Sequence, residues 1–325
     1  MNDEGFRLSD EYLNELEKRI AKLYSKASKK AVKKAKNYLE QFEEEDAEKR
    51  QEYESGEISK DEYSKWRRNL MIVGAFYVLR NELTNDLTNV DVKAMQFAAS
   101  TMLDVYALNV NYEMYCIEHD LMVDLGYSLY NRKAVERLIN ENPKLLPRPK
   151  VNIPKDMKWN RTHIQTAITQ GIIQGDSIPD IAKRLERVVG MDKNAAIRNA
   201  RTAMTGAQNA GRLESMKEAQ SKGVGIKKTW IAVLDNVTRS SHRHLDGETV
   251  DLDKTFSNGL MFPADPNGEP SEVYNCRCGL ARQYDRYKTD WLNLENRRHD
   301  KLGDMTYEEW QEAKPIRRKK DGKNN

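Results

Sequence analysis

Leu13, Leu16, Ile20, Leu23 and Ala27 recur at alternating steps of three and four, which puts them on one face of a helix. Residues 8–54 around this seam are dense in Glu, Lys and Arg. The seam weakens to Ala31, Ala35, Tyr38 and Phe42. The pattern predicts a long amphipathic helix packed within its own chain or on a neighbour, and it allows a coiled coil without requiring one. Gly56 interrupts the pattern. Ser59-Lys60-Asp61-Glu62 then has the capping-box spacing, in which the Ser and Glu satisfy each other's helix-start N–H groups, so a second helix should begin there. Residues 61–142 keep helical spacing through Trp66, Leu70, Val73, Tyr77, Met95, Ala98, Met102, Val105 and Leu108, and show no strict alternation. An all-helical region over 1–142 follows. Tyr106, Tyr112, Tyr115, Tyr127 and Tyr130 could stack on single-stranded nucleic acid, but at helical positions they are expected to anchor core or interface.

Pro143, Pro147, Pro149 and Pro154 lie within twelve positions and predict an extended linker over 143–158, because proline breaks helix interiors and restricts the residue before it. Beyond it, residues 159–174 are amphipathic and Gly175-Asp176 is a turn. Ser177-Ile178-Pro179-Asp180 is a helix start, and Gly190 is the expected stop after Ile181, Leu185 and Val188. Another helix is expected over 193–221. The character changes at Gly223-Val224-Gly225. Thr229, Trp230, Ile231 and Val233 mark a strand within 226–234, and shorter extended pieces are expected near 248–252 and 279–282. The fold class is therefore mainly α with a small β-containing module (α+β). Its parts are a helical region at 1–142, the linker, a module at 159–284 with helices over 159–222 and the β part over 223–284, and a C-terminal helix with a basic tail at 285–325.

Length, charge, apolar runs and cysteine count each sharpen the picture. A length of 325 residues suggests about two domains. A net charge of +3 does not argue for wholesale coating of nucleic acid, so any basic contact must be local. Arg317, Arg318, Lys319 and Lys320 in the tail are the candidates, and the last fifteen residues carry six basic and two acidic groups. No apolar run reaches the roughly 18–20 residues a membrane span needs, and the polar, acidic start is unlike a signal peptide, so neither is expected. Three cysteines give no disulfide framework and fit a reducing compartment.

Chemistry concentrates between residues 235 and 278. His242 precedes Cys276 by 34 positions, and Cys276 and Cys278 form a Cys-x-Cys pair. Folding back would bring an imidazole and two thiolates to a soft, zinc-like site. A structural zinc needs a fourth ligand, for which His244, Asp235, Asp246 or a remote group are candidates. Two other readings stay open: thiols that simply pack, and catalysis. In the catalytic reading, His242 serves a metal-dependent nuclease, or acts as base to a cysteine nucleophile that lacks a helix start to lower its pKa.

The order Ala200-Arg201-Thr202, Asn209-Ala210-Gly211-Arg212, Thr229-Trp230, Asp235, Thr238-Arg239, His242, Leu245-Asp246-Gly247, Pro263-Ala264-Asp265-Pro266 and Asn275-Cys276-Arg277-Cys278 resembles the Mu F-like minor head proteins, also called head morphogenesis proteins, of tailed phages. The resemblance covers about residues 160–282. It implies a non-enzymatic minor capsid component acting in head morphogenesis. That component would sit in the capsid interior at the portal vertex, with the phage portal protein and double-stranded DNA as partners, bound without sequence preference. It would reside in the virion, and in the host cytoplasm during assembly, with no membrane association. The alternative is a zinc-dependent nuclease or other hydrolase acting on DNA. The resemblance places the family's His on His242 and its Cys-x-Cys on Cys276 and Cys278, as a candidate zinc site. Asp235, Arg239, Asp246 and Gly247 form its supporting loop, while His244 falls at a variable position. Many relatives have Glu where this chain has Ala203. Some relatives fuse the module to a toxin or ADP-ribosylating enzyme, and the roughly 40 residues after this module are too few for one.

Overall fold

The computed structural model describes residues 4–72, 75–146 and 152–317. Its helices are α1 (Glu4–Glu54), α2 (Lys60–Ile72), α3 (Ala75–Leu121), α4 (Arg132–Glu141), α5 (Ile153–Gln174) and α6 (Ile178–Ser221). These are followed by β1 (Ile226–Ile231), α7 (Ser240–His244), β2 (Thr249–Asp251), α8 (Pro270–Val273) and β3 (Gly279–Tyr284), then α9 (Trp291–Glu295), a 3-10 turn (Asp300–Asp304) and α10 (Tyr307–Ala313). The fold is predominantly helical, with one small antiparallel sheet. No described helix is long and apolar enough to cross a membrane.

The capping box forms as its residues predict. Ser59 N donates to Glu62 Oε2 at 2.8 Å and Glu62 N donates to Ser59 Oγ at 3.3 Å, opening α2. Two expectations are corrected. Gly190 does not stop a helix: α6 runs through it, because the apolar stripe continues in register from Val188 and Val189 to Ala196 and Ala200. A helix interior tolerates one glycine at about 1 kcal/mol when packing on both sides continues. The stretch expected to be extended up to 158 is helical from Ile153, since Pro154 sits in the first turn of α5, where its missing N–H costs nothing, and Asn152 caps Lys155 N. Pro147 and Pro149 lie outside the described residues.

The chain forms two compact units, neither of them a single stretch. One comprises residues 17–96 and 150–197. Its core joins Ile20, Tyr24, Ala35 and Leu39 of α1 to Phe76, Leu83 and Leu87 of α3, Ile164 and Ile168 of α5, and Leu185 and Val189 of α6. A polar cluster lies within it. The Tyr24 hydroxyl donates to Asp91 Oδ1 at 2.5 Å, and Asn160 Nδ2 donates to Asp91 Oδ2 and Thr88 Oγ1, both at 3.1 Å.

The other unit comprises residues 1–16, 97–149 and 198–325. Here α3 and α6 approach so closely that a Cβ on Gly211 would lie 2.8 Å from Tyr106 O, a contact only glycine accommodates. Tyr106, Tyr127 and Tyr130 are buried in this unit's core, and Tyr112 and Tyr115 pack against Tyr307, as core anchors should. Fully buried Glu113 accepts from Arg212 at 3.3 Å and Arg282 at 3.1 Å. Glu118 receives Trp310 Nε1 at 2.7 Å and Lys314 Nζ at 2.8 Å. The sheet order is β2-β1-β3, both pairs antiparallel, with Trp230 opposite Leu280 and Lys228 opposite both Val250 and Arg282. Alternate residues of β1 (Ile226, Lys228 and Trp230) point into the core.

Candidate metal centre

β1 supplies the wall of the site. Trp230 is fully buried, and its ring meets the His242 imidazole edge to face at 5.3 Å and Phe256 at 5.2 Å. His242 lies on the short helix α7. Its Nδ1 is 3.4 Å from Cys278 Sγ and 3.7 Å from Cys276 Sγ. The three ligand atoms lie within 4.8 Å of one another, and all three residues are buried. Among the described residues this is the one group of His, Cys, Asp and Glu so arranged, and it is compatible with a zinc ligand set. The hydrogen bond with Cys278, and then burial, push the Cys276 thiol up, while the hydrogen bonds with Cys276 and His242 pull Cys278 down. A soft divalent cation would take both sulfurs as thiolates and Nδ1 as a neutral donor.

The remaining candidates for a fourth ligand are engaged elsewhere. Asp235 accepts from Arg277 at 2.6 and 2.8 Å and from the Thr238 hydroxyl at 2.8 Å, and these contacts hold its carboxyl well below the usual carboxylate range. Asp246 Oδ1 accepts from Ala232 N at 2.8 Å, and the exposed His244 ring contacts Ser240 O through Nδ1 at 2.7 Å. Arg239 donates to Tyr274 O. Gly247, at φ +80, donates its N–H to Trp230 O at 2.9 Å and so turns the chain into β2. Each of the four loop residues thus ties one end of the 235–278 stretch to the other, to β1 or to the residue that follows it.

Two features escaped the sequence reading. Glu272 on α8 places Oε2 3.0 Å from His242 Nε2, off the line of an N–H···O bond, on the ring edge away from the sulfurs. It also accepts from Ser241 Oγ at 3.0 Å. A carboxylate behind a ligating histidine fixes its tautomer and orientation. Lys228 is buried, with Nζ donating to Met261 O at 2.8 Å and Leu252 O at 3.2 Å, and burial lowers it to about 8. It pins the loop between β2 and α8.

The cysteine segment is held by a polar stripe of α6 at steps of three, four and three. Thr202 Oγ1 accepts from Asn275 N at 2.9 Å, and Thr205 Oγ1 donates to Cys276 O at 3.0 Å. Asn209 donates to Cys278 O at 3.1 Å and Pro263 O at 3.2 Å, and accepts from Leu280 N at 2.7 Å. Arg212 Nη1 reaches Leu280 O at 3.5 Å. These side chains substitute for a neighbouring strand, satisfying backbone groups that would otherwise be buried unpaired. Asn209→Ala would strand three of them at once. We expect a loss of about 3 kcal/mol or more, read as a fall in melting temperature of roughly 6–12 °C. A shift under about 2 °C would show that the stripe does not hold the segment.

The tail contributes less free charge than its sequence suggests. Arg317 pairs with Glu218 at 2.9 Å, lies 4.4 Å over the Tyr130 ring, and donates its N–H to Leu129 O at 2.8 Å. Arg318, Lys319 and Lys320 lie outside the described residues.

A helix stripe thus clamps a Cys-x-Cys segment against a buried histidine, beside a small sheet that follows the long helices. Residues 162–281 match the family described as Phage Mu protein F like protein. The chain is 25% identical over 279 residues to the minor head protein GP7 of Bacillus phage SPP1, covering 83% of each chain. It is 28% identical over 198 residues to the NAD(+)–arginine ADP-ribosyltransferase EFV of Enterococcus faecalis, covering 60% of this chain and 40% of that one. It is also 35% identical over 134 residues to the uncharacterized protein YqbB of Bacillus subtilis, covering 38% and 43%. No solved structure matches significantly.

Proposed function

We propose that this protein is a minor head protein of a tailed bacteriophage that acts in head morphogenesis at the portal vertex, inside the capsid and in association with packaged DNA. The observation that carries the reading is the Mu F-like segment at 162–281, embedded in a likeness to a minor head protein that spans 83% of both chains. The site chemistry supports an assembly role. Its buried thiols and imidazole close a loop, and the polar groups around them are spent on the chain's own backbone. In this reading a zinc ion held by His242, Cys276 and Cys278 would fasten the module, and the module would present a fixed surface to the portal.

Co-expression with the portal protein of the same phage tests the proposal. Co-elution in a defined ratio through size exclusion is expected, and two separate peaks at low salt would overturn it. A plasmid-nicking assay on the zinc-loaded protein addresses the hydrolase alternative. Intact supercoiled plasmid is expected, whereas nicking that disappears in His242→Ala would replace the assembly reading with a nuclease.

A further inference from the structure

The near-neutral total charge hides a segregated helix. Residues 18–36 of α1 contain nine Lys or Arg and no Asp or Glu, whereas residues 40–57 contain nine Asp or Glu against two basic residues. Within the basic block, Lys18, Lys22, Lys26, Lys29 and Lys33 recur at steps of four, four, three and four, and all five are exposed. At 100° per residue they fall within an arc of about 80°, and at 1.5 Å per residue the row is about 22 Å long. Their neighbours are neutralised inside the chain: Lys30 by Asp86 at 3.0 Å, Lys34 by Glu82 at 2.6 Å, and Lys36 by Glu40 at 3.5 Å. None of the five lysines in the row has such an ion pair among the described residues.

From this row we infer that the α1 lysines at 18, 22, 26, 29 and 33 form a docking surface for the phosphate backbone of double-stranded DNA. The inference rests on the proposed association with packaged DNA and gives that association a location other than the tail. Three features favour a duplex. A duplex carries one negative charge per about 1.7 Å of axis, so every lysine along a 22 Å row finds a phosphate without special register. The charges are lysines with no exposed aromatic or amide among them, which suits sequence-independent attraction and not base readout. The opposite face of the same helix, with Ile20, Tyr24 and Ala35, is buried in its unit, so α1 has no apolar face left to insert into a lipid surface.

The test uses the full chain and a 30-base-pair duplex of random sequence, with binding read by fluorescence anisotropy from 50 to 200 mM salt. The variant K18Q/K22Q/K26Q/K29Q/K33Q keeps helix propensity, and unchanged circular dichroism and melting temperature confirm its fold. At about 0.9 per neutralised phosphate, the slope of log K against log salt should shrink by about 4, and affinity should fall by about tenfold or more at 100 mM salt. A wild-type Kd and slope in the folded variant would overturn the inference, as would binding abolished by R318Q/K319Q/K320Q alone. A variant that keeps duplex binding but loses co-elution with the portal would mark the row as a protein dock and also overturn it. A wild-type chain that co-elutes with the portal yet binds no duplex would remove this inference and leave the assembly role standing.

Discussion

Purified without chelator, the protein should carry about one zinc per chain, and Cys278→Ser should remove most of it. The expectation comes from donor placement: Nδ1 of His242 and two sulfurs converge at 3.4 and 3.7 Å, within a buried set of groups no more than 4.8 Å apart. Such a site binds metal only in the folded chain, so its binding free energy adds to folding stability. With three protein donors already gathered, we expect a chelator to cost about 3 kcal/mol, or roughly 6–12 °C in melting temperature. The serine variant should melt at the chelated value with or without chelator. Elemental analysis and thermal melts check both. Zinc below about a tenth of an equivalent, together with melts indifferent to chelator, would leave the sulfurs as packed thiols. Glu272→Gln should lower zinc affinity by about tenfold without emptying the site, because it touches only the outer edge of the imidazole.

The second large effect is a stability that falls as pH rises. Asp192 on α6 is pushed up to about 8, first by burial and then by the like charges of Asp91 and Asp156, and its Oδ2 is buried without a hydrogen-bond partner. In the unfolded chain the same carboxyl ionises near 3.8. Between these values the unfolded state has released the proton and the folded state still holds it. Stability is therefore fully present below about pH 4 and is lost progressively up to about pH 8. Asp91, also raised by burial, contributes a share of the same sign. Asp192→Asn removes the larger share, so the variant should gain on the order of 2–3 kcal/mol over the parent at pH 8 and little at pH 4.5, once partial exposure is allowed for. Thermal melts across pH 4.5–8.5 measure this, and parallel pH slopes for parent and variant would refute it.

What the sequence disclosed was local or periodic. Ser59 and Glu62 announced α2, the β-branched and aromatic run at 229–231 announced β1, and the seam of Leu16 and Ile20 announced the buried face of α1. The meeting of His242 with Cys276 and Cys278 followed from residue type and the ordered motifs around them. Gly190 and Pro154 were misread because each has a second use, inside a well-packed helix and in a first turn. Glu272 and Lys228 were missed for a different reason. Each acts on groups 24 to 33 positions away, across a turn whose path no period encodes, and a buried lysine looks in sequence like any solvated one. The stripe of Thr202, Thr205, Asn209 and Arg212 was half visible, since its spacing was on one face but the strand it grips was not.

The unit that holds the cysteine site draws on residues 1–16, 97–149 and 198–325, and Trp310 and Ile316 join it by bonding to Glu118 and bridging to Leu129. A nascent chain leaving the ribosome therefore holds α3 half-clothed until Trp310 and Ile316 have been translated. At about 5–20 residues per second, the more than 180 residues between these partners amount to some 10–40 seconds of exposure. During that interval a chaperone, or an early-arriving assembly partner, has access to surfaces that the finished protein conceals.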